Sequence, residues 1–548
     1  MKIKAIYLLL LLAFTLGCAE PEIPLNTWTP YDQSKEIEEN KEHSIKRMRY
    51  KRIQSQHSDR NALFTSFKKE LSKFTQADHD RLKPLILEQN IPTLQQHLKA
   101  GKLTYEALTL FYLYRIYHFE LQRETYLNAI ISLNPNVIEN ARERDKNKSE
   151  PTSPLYGMPI LIKDNINATP MATTAGAAVF TENFPERDAF IVEKLRSEGA
   201  LILGKVNLSE WAYYFCQGCP VGYSALGGQT LNPYGRKMFE SGGSSSGSGV
   251  TVAANYAVAA LGSETSGSIL SPSGKNSVVG LKPTIGSISR SGIVPISSSL
   301  DTAGPMAKNV IDAAILYNAI IGKDSLDGYS FAAERVGYES LPLASLKGKR
   351  LGLIRAFESD SLMQIAIAKM EAAGAEIIPI DPPETPMNQF RKLLDVDMHS
   401  DLPIYISAYA GPLVTVKTAA DIVAFNRTDT LLHAPYGQAI LERVATEETT
   451  QADFEQDKLA MMQEAKNYFL IPMQEHQIEA IISIDNRTAG YAAMAHFPAL
   501  SVPMGYLMNG EPQNITFIAP SQHEPLLFTI GAAFEHLHPA RKTPLLFQ

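Results

Sequence analysis

Apolar positions along the chain fall into two kinds of run. Some recur at helical spacing. Thr104-Tyr105-Glu106-Ala107-Leu108 opens such a run, its apolar face continues through Leu110, Leu113 and Ile116, and Thr104 caps it. Ile191, Val192 and Leu195 mark a second helix over residues 189–199, stopped by Gly199. Others are short and continuous. Residues 157–164 read Gly-Met-Pro-Ile-Leu-Ile-Lys-Asp, an apolar strand that ends abruptly in Lys163. Residues 201–203 make the next strand, and a helix at 247–256 leads into a strand at 257–261. Further along, strands at 350–354 and 376–380 enclose a helix at 363–373 closed by Gly374. Short strands at 480–484, 499–502 and 515–518 precede a helix at 526–534. This alternation predicts an α/β fold, a central mixed sheet flanked by helices on both faces. Residues 385–475 are mainly helical and polar, and are expected to cover one end of a site.

The first 80 residues break the pattern. Lys2 and Lys4 begin the chain, the run Ala5 to Leu16 is apolar, and Gly17-Cys18 follows. That run of 12 residues is short of the roughly 20 a membrane span needs. The pattern resembles a bacterial lipoprotein signal, with Thr15 departing from the usual Leu. The resemblance implies lipidation of Cys18, a place on the periplasmic side of a bacterial cell envelope, and membrane contact through that anchor alone. An ordinary secretory signal and an uncleaved anchor are the alternatives. Residues 19–80 are charge-dense, notably at 35–42 and 47–52, and predict a polar tether followed by helical segments outside the main core. The expected division is thus 1–18 signal, 19–80 tether and N-terminal helical region, and 81–548 main domain.

Composition narrows the function. The chain has 548 residues, 45% of them hydrophobic, enough for one large enzyme core. Its net charge of −7 gives no basic excess, so nucleic acid is not the expected partner. Twelve histidines show neither HExxH spacing nor a Cys/His cluster, so neither a metal nor a cofactor is expected. Besides Cys18, the cysteines are Cys216 and Cys219, a lone CxxC. A redox pair, half of a zinc site, a local disulfide and incidental loop cysteines all fit that spacing.

The chemistry concentrates between Ser241 and Ser268, where two Ser/Gly-rich turns flank an Ala/Val-rich segment. A flexible linker would not resume as a buried helix and strand. Gly243-Ser244-Ser245-Ser246-Gly247 matches the nucleophile elbow G-x-S-x-G, yet the residues before it are polar and not strand-like. Ser66-Phe67-Lys68-Lys69 matches S-x-x-K, but in the charged N-terminal region without partner motifs. The remaining arrangement uses Lys163, Ser244 and Ser268. Residues 242–248 (Gly-Gly-Ser-Ser-Ser-Gly-Ser), 262–268 (Gly-Ser-Glu-Thr-Ser-Gly-Ser) and 279–284 (Val-Gly-Leu-Lys-Pro-Thr) resemble the signature of the amidase signature family. Residues 204–211, 228–233 and 301–306 also resemble it, most closely in the branch containing bacterial peptide amidases.

That resemblance implies a mixed sheet flanked by helices and a catalytic set of Lys163, Ser244 on a cis peptide, and the nucleophile Ser268. It implies an oxyanion hole from the backbone N–H groups of Thr265, Ser266, Gly267 and Ser268. It also implies a small-molecule or peptide amide as substrate. A serine hydroxyl needs a base, and a lysine serves only when neutral, which burial favours. A strand-end lysine that instead snorkels to water is the alternative. Glu264 stands where the family often has Asp, Ser266 where it has Gly, and Leu270 where an Arg is common. Asp164 is expected to orient its surroundings and Ser245 to hydrogen-bond within the triad. Ser246, Ser248, Ser263 and Ser266 are expected to cap helices or turns. The function expected is a serine amidohydrolase. The competing expectations are a non-catalytic cell-envelope binding protein on the same fold and an amidotransferase-type subunit.

Overall fold

The computed structural model describes residues 25–147 and 153–548. The signal segment and Cys18 lie outside the described residues. Strands in chain order are β1 (Ile130–Leu133), β2 (Pro159–Lys163), β3 (Leu201–Val206), and the short pair β4 (Tyr223–Ser224) and β5 (Gly228–Gln229). After them come β6 (Ala259–Glu264), β7 (Val279–Lys282), β8 (Thr302–Ala307), β9 (Arg350–Ile354) and β10 (Glu376–Ile380). The last are β11 (Ala480–Ile484), β12 (Ala499–Tyr506) and β13 (Pro512–Ile518). All but β4 and β5 join one 11-stranded sheet in the order β1-β3-β2-β6-β8-β7-β12-β13-β11-β9-β10.

The sheet is mixed. β2 lies parallel to β3 and β6, and β9 lies parallel to β10 and β11. The strands between these groups run antiparallel. Every residue of β2, β3, β6, β7 and β8 is buried, which requires cover on both faces. The helices Ser246–Ala253 and Val310–Ile320 both pack on β6 and β8.

Most elements fall where the apolar runs placed them, and the differences are physical. β6 runs past residue 261 through Ser263 and Glu264, because both polar side chains find buried partners. β8 reads Thr-Ala-Gly-Pro-Met-Ala, whose Gly and Pro erase any strand signal. The polar segment 385–475 is helical as its pattern suggests. Helices Phe390–Tyr409 and Gln451–His476 pack together, and both reach the loop before β8.

The N-terminal region departs from expectation. It carries short helices, but Trp28, Met48, Tyr50, Ile53, Phe64 and Phe67 are buried in the same core as the sheet. Aromatic anchors between the charges outweigh the charge density. Arg60 stacks over Trp28 at 4.4 Å and Tyr126 at 4.5 Å, and pairs with Glu120. Among the described residues no helix is long and apolar enough to cross a membrane.

Candidate active site

β2 delivers Lys163 into the interior. The strand is apolar and wholly buried, so its terminal side chain has no route to water and the amine is 0% exposed. Desolvation pulls its pKa down to about 7, against the opposing pull of Asp301 and Glu264. Lys163 Nζ lies 2.7 Å from Ser244 Oγ, 2.9 Å from Ser263 Oγ and 3.0 Å from Ser263 O.

The first Ser/Gly turn leads into helix Ser246–Ala253. The Gly243–Ser244 peptide is cis. At Gly242 (φ +65°) a Cβ would stand 2.6 Å from Pro272 Cα, so only glycine lets the first turn approach helix Leu270–Lys275 this closely. The Ser244 carbonyl accepts from Ser209 N–H at 3.0 Å. Ser245 N–H donates to Ser268 O at 3.0 Å, tying the first turn to the second. The Ser245 hydroxyl donates to Ser263 O and accepts from Ser263 N–H, so it is engaged in structure. With no strand before this turn, the nucleophile-elbow geometry is absent among the described residues.

The second turn is built around Glu264. Its buried carboxylate accepts from the N–H groups of Gly267 at 2.7 Å, Ile269 at 2.6 Å and Leu270 at 3.0 Å. Burial raises the Glu264 pKa, and Lys282 on β7 faces it. Burial pulls Lys282 down to about 8. Gly267 takes φ +86°, and a Cβ there would meet Asn486. One member of the expected oxyanion hole is therefore committed elsewhere, since Gly267 N–H belongs to Glu264. The N–H groups of Thr265, Ser266 and Ser268 have no protein acceptor among the described residues. Thr265 is steadied by its hydroxyl on Asp301, whose carboxylate also accepts from Ile296 and Ser297 N–H. Ser268 is 9% exposed.

The structure thus brings Lys163, Ser244 and the Ser268 turn together, although the Ser244 and Ser268 hydroxyls are not hydrogen-bonded to each other. Asp164 turns away from the lysine. It pairs with fully buried Lys205 at 3.2 Å and accepts from Thr174, while Lys205 also donates to Ile166 O and Thr173 Oγ1. Ser246 donates locally to Gly242 O, four residues back, whereas Ser248 is no cap: it donates to Leu261 O and ties the helix to β6. Ser263 is no cap, because its hydroxyl touches Lys163 and accepts from Asn165 Nδ2 at 2.9 Å. Sequence reasoning gave no role to Asn165, two residues after Lys163, nor to Lys205, Lys282 and Asp301, which lie inside motifs that did carry signal. Cys216 and Cys219 pair as a disulfide. Among the described residues no cluster of three or more His, Cys, Asp or Glu is placed to hold a metal.

Comparisons with known proteins bear on this arrangement. The family model described as Amidase matches residues 107–528. A probable amidase of Arabidopsis thaliana is 34% identical over 479 residues, 84% of this chain and 92% of its own. A glutamyl-tRNA(Gln) amidotransferase subunit of Caldanaerobacter subterraneus is 30% identical over 474 residues, 81% of this chain and 95% of its own. Among solved structures, an amidase family protein from Bacillus anthracis has a TM-score of 0.85 at 35% identity, covering 90% of this chain and 99% of that one. The native peptide amidase of Stenotrophomonas maltophilia has a TM-score of 0.78 at 36% identity, covering 84% and 98%.

Proposed function

Because the chain belongs to the amidase family, we propose that it is a serine amidohydrolase that cleaves carboxamide C–N bonds through an acyl-enzyme on Ser268. One observation carries the reading. A buried lysine, its pKa pulled down to about 7, stands 2.7 Å from Ser244, on a turn hydrogen-bonded to that of Ser268. In this mechanism Lys163 Nζ takes the Ser244 proton as Ser244 Oγ takes the proton of Ser268. Ser268 Oγ attacks the amide carbon. The oxyanion is received by the N–H groups of Thr265, Ser266 and Ser268, one such donor being worth about 3 kcal/mol of barrier. The proton returns through Ser244 to the leaving nitrogen, and water then repeats the sequence to free the acid. The Ser244–Ser268 contact is expected to tighten when substrate arrives, as catalytic hydrogen bonds commonly do.

C-terminal peptide amides are the first substrate class to test, in view of the likeness to the Stenotrophomonas peptide amidase. The likeness to the Caldanaerobacter amidotransferase component supports a second reading, in which the chain works with other subunits. Purified chain assayed alone on peptide amides, fatty amides and anilides separates the two. Turnover without a partner supports the hydrolase. An active-site serine probe should label wild type and not Ser268→Ala. Labelling at Ser245 in that variant would displace Ser268 as nucleophile, and no labelling of wild type would favour a binding protein.

We further propose that Cys18 carries the lipid anchor and that the enzyme works at the cell envelope. The Cys216–Cys219 disulfide supports an oxidising compartment. Mass analysis of the mature N-terminus is expected to show acylated Cys18, and an unmodified cysteine or cleavage elsewhere would reject the anchor.

A further inference from the structure

Two hydroxyls, not one, touch the lysine amine. Ser244 Oγ lies at 2.7 Å, Ser263 Oγ at 2.9 Å, and the Ser263 carbonyl at 3.0 Å. An ammonium has three N–H donors, and these three oxygens match them. A neutral amine has two N–H groups and one lone pair. The carbonyl can only accept, so one N–H belongs to Ser263 O. The second N–H and the lone pair are then divided between the two hydroxyls. If Ser263 donated to the amine, the lone pair would face Ser263 and Lys163 could take nothing from Ser244.

We propose that Ser263 is a positioning residue for the base: its hydroxyl oxygen accepts one N–H of Lys163, which leaves the amine's lone pair facing Ser244. The inference rests on the reading of Lys163 as the base. Asn165 supports the arrangement from the other side, donating from Nδ2 to Ser263 Oγ at 2.9 Å. The Ser263 backbone is held in turn by Ser245. When Lys163 takes the proton, Ser263 Oγ is already in place as an acceptor of the ammonium. Ser263 therefore acts twice, aiming the neutral amine and stabilising the charged one.

The charged groups facing Lys163 are Asp301, in the loop before β8, and Glu264, at the end of β6. Lys282 faces Glu264, and Arg290 and Asp401 face Asp301. The buried Asp164–Lys205 pair adjoins on β2 and β3. Replacing the neutral Ser263 leaves all of these charges in place, so a moved titration would report the lost hydrogen bond.

The test is the pH dependence of kcat and kcat/KM on one peptide amide for wild type, Ser263→Ala, Ser263→Thr and Lys163→Ala. In Ser263→Ala the ammonium loses an acceptor. The acid limb should move down by about one pH unit, the scale of one hydrogen bond to a charged group. The plateau kcat should fall about tenfold because the amine is no longer aimed, with KM changed less than about twofold. Ser263→Thr keeps the hydroxyl and should restore both limb and plateau. A Ser263→Ala limb that stays at the wild-type pH, while Lys163→Ala abolishes the limb, overturns the inference and leaves the base assignment standing. So does a Ser263→Thr variant that folds but fails to restore the limb. A limb near pH 7 that survives Lys163→Ala overturns the base assignment and the inference with it.

Discussion

At the scale of single residues, the proposed mechanism turns on whether one lysine is neutral. A fully buried amine with no counter-ion in contact loses its proton far more readily than one in water, and Lys163 sits at about 7. The sign follows. Below that pH the folded protein holds an ammonium that cannot accept a proton; above it the base is present. Wild-type kcat/KM should therefore rise with pH through about 7 and level off. Lys163→Ala should cost several orders of magnitude at neutral pH. Lys163→Arg should not rescue, because guanidinium stays charged. pH–rate profiles of the three proteins check this. A near-wild-type profile for either variant would remove Lys163 from the mechanism.

At the scale of elements, the decisive unit is β6, the turn after it and helix Leu270–Lys275. Glu264 gathers three backbone N–H groups of this unit, and Lys282 of β7 answers its charge. Glu264→Gln should destabilise the fold by roughly 3 kcal/mol, because an amide NH2 then faces buried backbone N–H donors that the carboxylate now satisfies. Lys282 feels the Glu264 charge without an ion-pair contact, its amine donating to Pro283 O. The double variant Glu264→Gln/Lys282→Met should therefore lose less than the sum of the two singles, measured by denaturant unfolding of all three. Simple additivity of the two single effects would show that the groups do not act as a pair.

At the scale of the molecule, the N-terminal region is bound into the body and not appended to it. Trp28 is buried beside Tyr126, Tyr31 and Arg60, and Lys51 and Arg52 N–H reach Tyr436 in the helical cover. Trp28→Ala should cost roughly 3 kcal/mol. Limited proteolysis should then cut within residues 25–67 faster than in wild type, while the acid limb of the pH profile stays where it was. An unchanged melting temperature would return the region to the status of a tether.

The apolar runs by themselves determined the α/β class, most strands that flank the site and the strand that ends in Lys163, because burial on both faces writes itself as continuous hydrophobic sequence. The Gly/Ser turns marked the candidate site, since their motifs are local. Tertiary structure alone decided the rest. β8 became a strand despite Gly and Pro because β6 and β7 flank it. Gly267 N–H went to Glu264 because the helix after the turn needs an acceptor at its start. Charged stretches near the N-terminus joined the core because Trp28, Tyr50 and Phe64 found cavities no local pattern encodes. Ser263 met Lys163 across 100 residues of chain, and hydrogen-bond partners brought together from such a distance leave no periodicity to read.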